Sequence, residues 1–371
     1  MPVEESLDEL SELARTAGAG VAGRTTQRMD HPHVATYIGK GKVEQVKQAA
    51  RELDANVVIF DDELSPSQQR NLERELDLKV IDRTALILDI FATRAHTAEG
   101  RLQVSLAQLE YLLPRLAGQW SHLERMEGAI GTRGPGETQI ETDRRLIRNR
   151  ISKLKRDIED IRTRRSLYRR QRDRAGIPVV ALVGYTNAGK STLMNALSHA
   201  GVLSEDKLFA TLDPITRRVR LPGGSPVLLT DTVGFIQKLP TQLVASFRAT
   251  LEELQEASLL VHVVDMSHPN AFAHMKTVED TLSDLGVTGK AVVQVLNKAD
   301  RLRSEDGDAV ETYEQALAAA ALAGNPPGDV VLVSALKRWG LSSLLEKIEE
   351  ECSAAQPAYS AAAFEPAAVS R

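Results

Sequence analysis

Gly184-Tyr185-Thr186-Asn187-Ala188-Gly189-Lys190-Ser191-Thr192 is the stretch from which the rest of the chain is read. An apolar run over 179–183 precedes it. A helical pattern with Leu193, Ala196 and Leu197 on one face follows it and stops at Gly201. Strand, G-x-x-x-x-G-K-S loop and helix, in that order, make a phosphate-binding P-loop. The glycines let the backbone curl so that successive N–H groups converge on phosphate oxygens, and the helix N-terminus adds the positive end of its dipole. Lys190 is expected to reach the β- and γ-phosphates and the Ser191 hydroxyl to ligate Mg²⁺. A glycine-rich turn that binds nothing is disfavoured by the complete pattern in its strand–helix context.

Outward from this loop, residues from 177 to about 351 read as a doubly wound, mostly parallel sheet, with strands expected at 179–184, 217–221, 227–230, 259–265, 291–296 and 330–333. A mononucleotide belongs at the carboxyl ends of such strands. Three further motifs fall there in order. Asp231-Thr232-Val233-Gly234 offers a carboxylate for Mg²⁺ and the Gly234 N–H for a γ-phosphate. In Asn297-Lys298-Ala299-Asp300, the Asp300 carboxylate can accept from guanine N1–H and its 2-amino group. Adenine has neither donor, so such a pocket rejects ATP by leaving a charge unpaired. Lys298 is expected to pack over the base and Asn297 to tie its loop to the P-loop. In Ser334-Ala335-Leu336 a backbone N–H can reach guanine O6. Ahead of these motifs, Phe209-Ala210-Thr211 lies in a candidate switch I over 206–214, with Thr211 as a second Mg²⁺ hydroxyl; switch II is expected from Asp231 to about Pro240. Lys190, Thr211 and Gly234 form the expected catalytic set, and Ser191, Thr211 and Asp231 the expected metal set.

Composition narrows the rest. The single Cys352 rules out an internal disulfide and any cysteine zinc site, which fits a reducing cytosol. No apolar run approaches about 18 residues and the N-terminus is acidic, so neither membrane insertion nor a signal peptide is expected. The net charge of −5 does not point to a polyanion partner, but its distribution does. Residues 144–174 carry fourteen Lys or Arg against four Asp or Glu, a balance of +10 that leaves −15 elsewhere. Solvated faces normally mix both signs, so phosphate contact is the favoured reading of this segment. Aromatic residues are only 4%, and an RNA contact here is expected to read backbone and shape rather than stacked bases.

Upstream, a helix at the start (Leu7, Leu10, Leu13) leads into alternating elements: strands at 36–38, 57–60 and 80–81, with helices from 42, 65 and 86. Ser65-Pro66-Ser67-Gln68 combines an N-cap, Pro at the first helical position and a capping glutamine. This is the pattern of a small parallel α/β domain. Gly39-Lys40-Gly41-Lys42 lacks the spacing of a nucleotide fingerprint and reads as a tight turn; Asp61 and Asp62 read as turn residues. From Arg101 the period changes. Leu102, Leu106, Leu109, Leu113 and Leu116 form one helical seam, and Ile140, Arg144, Ile147, Ile151, Leu154, Ile158 and Ile161 a second. Two seams joined by a loop make an antiparallel helical hairpin; Pro114 is expected to kink or end its first arm early and the capping box Thr138–Glu141 to start its second. The joining loop, 128–137, holds four glycines, Pro135 and Arg133, more than a plain connector needs, and reads as a contact surface. The expected fold is therefore an α/β protein: a P-loop GTPase domain over 176–352, preceded by a small parallel α/β domain over 1–100 and a long hairpin over 101–175. An Ala-rich tail, 353–371, is expected to be disordered.

These motifs, together with F-A-T-L-D-P, D-T-V-G-F-I and the run from Gly131 to Arg145, resemble the HflX family of translational GTPases over roughly 36–350. The resemblance implies cytoplasmic hydrolysis of GTP to GDP, binding to the large ribosomal subunit, and a role in rescuing, splitting or recycling stalled ribosomes under stress. It also implies that the hairpin tip loop reaches toward the peptidyl-transferase region. The family's N-terminal domain usually opens with a further strand, and many members carry a domain after the GTPase; here the start reads as short or degenerate, and the GTPase motifs are followed by the Ala-rich stretch. Phe235 follows Gly234 where many GTPases place a water-orienting glutamine, so intrinsic hydrolysis is expected to be slow and ribosome-stimulated. A GTP-dependent RNA-binding scaffold in ribosome assembly, reset by hydrolysis, is the alternative. A monomer is expected.

Overall fold

The apolar runs of the sequence become two separate sheets in the computed structural model, which describes residues 3–116, 135–173, 177–198, 208–238, 254–304, 307–322 and 330–355. One unit takes in Met1–Ala175 together with Ser204–Pro214 and Val233–Glu252; the other takes in Gly176–Leu203, Ile215–Thr232 and Glu253–Arg371.

The first unit opens with α1 (Val3–Thr16) and α2 (Lys40–Glu52), followed by β1 (Val57–Phe60), α3 (Pro66–Leu76), β2 (Lys79–Asp82) and α4 (Arg83–Arg94). β1 and β2 pair in parallel from Val57↔Lys79 to Phe60↔Asp82. α3 starts where its sequence says: the Gln68 N–H donates to Ser65 Oγ at 3.2 Å and the Ser65 N–H to Gln68 Oε1 at 3.0 Å. Val43, Leu64, Leu72, Leu76 and Val80 fill the core between these elements. Each such side chain contributes about 1.5–3 kcal/mol by leaving water. The strand expected at 36–38 is instead an isolated bridge, His33↔Tyr37. Tyr37 sits at φ 62°, a left-handed conformation that breaks any extended run.

The hairpin follows. α5 (Ala98–Leu112) stops two residues before Pro114, and α6 (Pro135–Asp173) is a single helix of 39 residues, about 58 Å long at about 1.5 Å per residue. Leu106, Ile151 and Leu154 are buried along the seam, with Leu102, Leu109, Leu113, Ile147 and Ile158 packed against them. α6 begins earlier than the Thr138 capping box suggests. Pro135 occupies its first turn, where a missing N–H costs nothing, so the capping-box residues lie inside the helix. Residues 117–134, with most of the expected tip loop, lie outside the described residues, as does the tail from 356.

The second unit holds β3 (Val179–Val183), α7 (Lys190–Ser198), β4 (Ile215–Arg220), β5 (Pro226–Asp231), β6 (Leu259–Asp265), α8 (Ala271–Asp284), β7 (Ala291–Asn297), α9 (Tyr313–Leu322), β8 (Val330–Leu332) and α10 (Leu341–Ala355). Its six-stranded sheet has the order β4-β5-β3-β6-β7-β8, parallel throughout except for β4 against β5. The central strands are nearly continuous apolar runs because both faces are covered. The edge strand β4 instead carries Thr216, Arg217, Arg218 and Arg220 exposed, which discourages pairing with another chain. Val180, Leu182, Leu193, Leu197, Val261, Val263, Leu344 and Ile348 form one core and Val264, Leu296, Ala299, Ala316 and Leu332 another. Chain direction across the sheet reverses at β3, whose carboxyl end is where a ligand crevice forms in open α/β sheets. Among the described residues, no helix is long and apolar enough to cross a membrane.

Candidate nucleotide site

Gly184 leaves the carboxyl end of β3 at φ +153°, and a Cβ there would lie 2.2 Å from the Val263 carbonyl oxygen, so the loop can only begin with glycine. Asn187 (φ 59°) and Gly189 (φ +93°) complete the curl before α7 starts at Lys190. Thr186 and Ala188 are buried within it. Lys190 folds back over the loop, donating from Nζ to the carbonyls of Gly184 at 3.1 Å and Tyr185 at 2.9 Å. Burial lowers its ammonium from 10.5 to about 8, opposed by the charge of Asp231. An ammonium held on backbone carbonyls in a desolvated pocket is positioned for a phosphate that will restore its charge.

Ser191, in the first turn of α7, donates from Oγ to Asp231 Oδ2 at 2.6 Å, which brings a hydroxyl and a carboxylate from two elements to one point. Both are hard oxygen donors, the chemistry Mg²⁺ accepts. Thr232 secures the end of β5 by donating to the Leu182 carbonyl at 2.6 Å. Thr192 continues α7.

The base-reading motifs meet the loop through one side chain. Asn297 Nδ2 donates to the Ala188 carbonyl at 2.8 Å, while its Oδ1 accepts from the Ala335 N–H at 3.1 Å. A Cβ on Gly189 would lie 2.3 Å from that Nδ2, so the approach depends on glycine. Lys298 is left-handed (φ 64°) and its Nζ pairs with Asp265 Oδ2 at 2.7 Å. Asp300 accepts from Ser334 Oγ, and Ser334 in turn accepts from the Lys337 N–H at 3.0 Å. Leu336 is 71% exposed at the rim. The sequence reading missed Asp265, which ends β6 as Asp231 ends β5; its place at a strand's carboxyl end was the available signal. It also missed the stack of Tyr185 on His274, ring centroids 3.8 Å apart and planes parallel.

Five expected site residues, Phe209, Ala210, Thr211, Val233 and Gly234, belong to the first unit. The Phe209 ring is 1% exposed and edge-on to Phe91 at 4.6 Å, which leaves only its backbone for a nucleotide. Phe235 is buried as well. Asp61 and Asp62 are more than turn residues: Asp61 accepts from Arg83, and both carboxylates accept from Lys238 at 2.6 Å.

Three family models match the chain. GTP-binding GTPase N-terminal covers residues 4–92, GTP-binding GTPase Middle Region covers 94–172, and 50S ribosome-binding GTPase covers 179–298. Among curated proteins, GTPase HflX of Lacrimispora saccharolytica is 55% identical over 295 residues, 80% of this chain and 70% of that one. GTPase HflX of Caldanaerobacter subterraneus subsp. tengcongensis is 50% identical over 349 residues, 94% of this chain and 77% of that one. GTPase HflX of Escherichia coli is 47% identical over 298 residues, 80% of this chain and 70% of that one.

Proposed function

The chain belongs to the HflX family of GTPases, hydrolysing GTP to GDP, and from that premise we propose a switch that works on the large ribosomal subunit to rescue, split or recycle stalled ribosomes. The observation that supports this reading is the presence, in one chain, of a P-loop and a long cationic helix. Along α6, Arg145, Arg148, Arg150, Lys153, Lys155, Arg156, Arg162 and Arg164 are all exposed. Such a helix fits the phosphate backbone of folded RNA.

In this reading Lys190 and the P-loop N–H groups hold the phosphates, and Asp300 with the Ala335 N–H selects guanine. Ser191, Asp231 and Thr211 would hold Mg²⁺, which when bound neutralises charge on the β- and γ-phosphates. Thr211 and Gly234 answer to the γ-phosphate. Phe235 can neither donate nor accept a hydrogen bond, so the attacking water must be oriented by another group, and ribosome binding supplies the missing order. The reading takes the chain as an α/β domain over 1–100, a hairpin over 101–175 and a GTPase domain over 176–352.

The test is the GTPase rate with and without 50S and 70S particles, for wild type and for a variant whose residues 128–134 become a Gly/Ser linker. Wild-type turnover rises by about tenfold or more with ribosomes, and the linker variant loses that rise, about 1.4 kcal/mol of coupling, while its intrinsic rate is unchanged. Turnover that ignores ribosomes would refute the proposal. Binding without stimulation would favour the scaffold alternative.

A further inference from the structure

Two stretches that the sequence marks as γ-phosphate sensors are fastened to the small N-terminal α/β domain by separate sets of bonds. The first is a carboxylate clamp. The backbone N–H groups of His96 and Thr97 both donate to Asp213 Oδ2 at 2.8 Å, and Thr97 Oγ1 donates to Asp213 Oδ1 at 2.5 Å. Thr97 is the N-cap of α5, its Oγ1 accepting from the Gly100 N–H at 2.9 Å. Asp213 therefore lies at the positive end of the helix dipole, where an anion is stabilised. Gly100 makes room for it: a Cβ there would lie 2.2 Å from Asp213 Oδ1. The second set holds the segment after Gly234. Lys238 Nζ pairs with Asp61 and Asp62 at 2.6 Å, and Arg83 Nη1 donates to the Gln237 carbonyl at 3.3 Å.

Thr211 thus lies between anchors of unequal strength. On one side the Phe209 ring is buried against Phe91 of α4. On the other, beyond the buried Leu212, the Asp213 bonds are exposed. From Thr211 to Asp213 the chain can span no more than about 7 Å, so a shift of Thr211 is felt at both anchors. A buried ring resists such a pull better than a solvated clamp, whose groups find replacement partners in water. The clamp yields first. What it releases is the N-terminus of α5, the arm that packs on α6 through Leu106, Ile151 and Leu154.

We propose that Asp213 couples the nucleotide state of switch I to the hairpin: GDP leaves its carboxylate on the N-terminus of α5, and GTP, by drawing in Thr211, pulls it off. Asp213 is a positioning residue, with no contact to the nucleotide. The inference rests on the assignment of Thr211 to switch I made above, but it needs no ribosome.

Hydrogen exchange resolved to single amides, on the full chain without ribosomes, tests it. With a non-hydrolysable GTP analogue in place of GDP, the His96 and Thr97 amides of wild type should exchange at least about fivefold faster. In Asp213→Asn, which weakens the acceptor, and in Gly100→Ala, which displaces it from the opposite side, exchange should be fast with either nucleotide. Equal rates in the two states of wild type overturn the coupling, as does a wild-type response that survives both variants. Thr211→Ala separates the premise from the inference. A full response there overturns the switch I assignment, and its loss supports both.

Discussion

Replacing Asp300 by Asn tests whether the carboxylate at the end of β7's loop reads the base. In the structure one of its oxygens accepts from Ser334 Oγ, and an asparagine oxygen can accept the same bond. The fold should therefore be spared, with a melting temperature close to that of wild type. Recognition is another matter. A guanine edge presents two donors to the carboxylate, and hydrogen bonds to a charged group contribute about 1.5–3 kcal/mol each. Their loss, with the 2-amino group left facing an amide, predicts a GDP affinity weaker by roughly 3 kcal/mol or more, about 150-fold or beyond. Xanthine carries a carbonyl at that position and suits the amide better, so xanthosine diphosphate should gain. Competitive displacement of a fluorescent GDP by each nucleotide, for both proteins, reads the two effects on one scale. An Asp300→Asn protein that keeps wild-type GDP affinity and ignores xanthosine diphosphate would show that the base is read elsewhere.

Ser191→Ala should lose both Mg²⁺-dependent hydrolysis and GDP affinity, whereas Thr211→Ala should lose hydrolysis and still bind GDP normally; isothermal titration with GDP distinguishes them, and equal losses remove Thr211 from switch I. Lys190 supplies a pH signature. Its folded pKa, about 8, lies below the unfolded 10.5, so the buried ammonium opposes folding below pH 8. The stability of the nucleotide-free protein should rise between those values by up to about 3 kcal/mol. Denaturant unfolding should show the slope in wild type and lose it in Lys190→Met. Phosphates restore the charge, so GDP binding near about pH 9 should take up a proton, seen by titration in buffers of different ionisation enthalpy. Arg148→Glu and Arg162→Glu should weaken ribosome binding and flatten its salt dependence by about one unit of slope per lost phosphate contact; binding unchanged across salt would take α6 out of the interface.

The nucleotide site was legible because its chemistry is local. Gly184, Gly189, Lys190 and Ser191 act through their spacing along one loop, and spacing is what a sequence displays. Asn297 was legible for a related reason: it sits in a four-residue motif, although its partners are 109 residues away at Ala188 and 38 away at Ala335. Errors arose where two local signals competed. At the start of α6 a proline and a capping box each mark a helix N-terminus three residues apart, and the proline prevailed. At 36–38 a short alternating run suggested a strand, but the left-handed Tyr37 leaves only a bridge. The ion pairs of Asp61 and Asp62, turn residues as expected, were not legible for the opposite reason. Nothing near them in sequence needs a carboxylate, and their ammonium partner, Lys238, lies 177 and 176 residues away.

Residues assigned to the base, the P-loop and the metal carboxylate lie in the second unit, while Thr211 and Gly234, proposed to answer to the γ-phosphate, lie in the first. GDP and GTP share the base contacts and most P-loop contacts, and differ at the γ-phosphate, which Lys190, Thr211 and Gly234 are proposed to meet. A ligand can shift an equilibrium only by the difference in its affinity for the two states. Part of the free energy that separates the GTP-bound from the GDP-bound form would therefore enter through segments seated on α4, α5 and the Asp61–Asp62 turn. The common contacts make binding tight without making it informative. On this reasoning the N-terminal domain takes part in the switch, because the segments that carry two of the groups proposed to meet the γ-phosphate, Thr211 and Gly234, are bonded to its side chains.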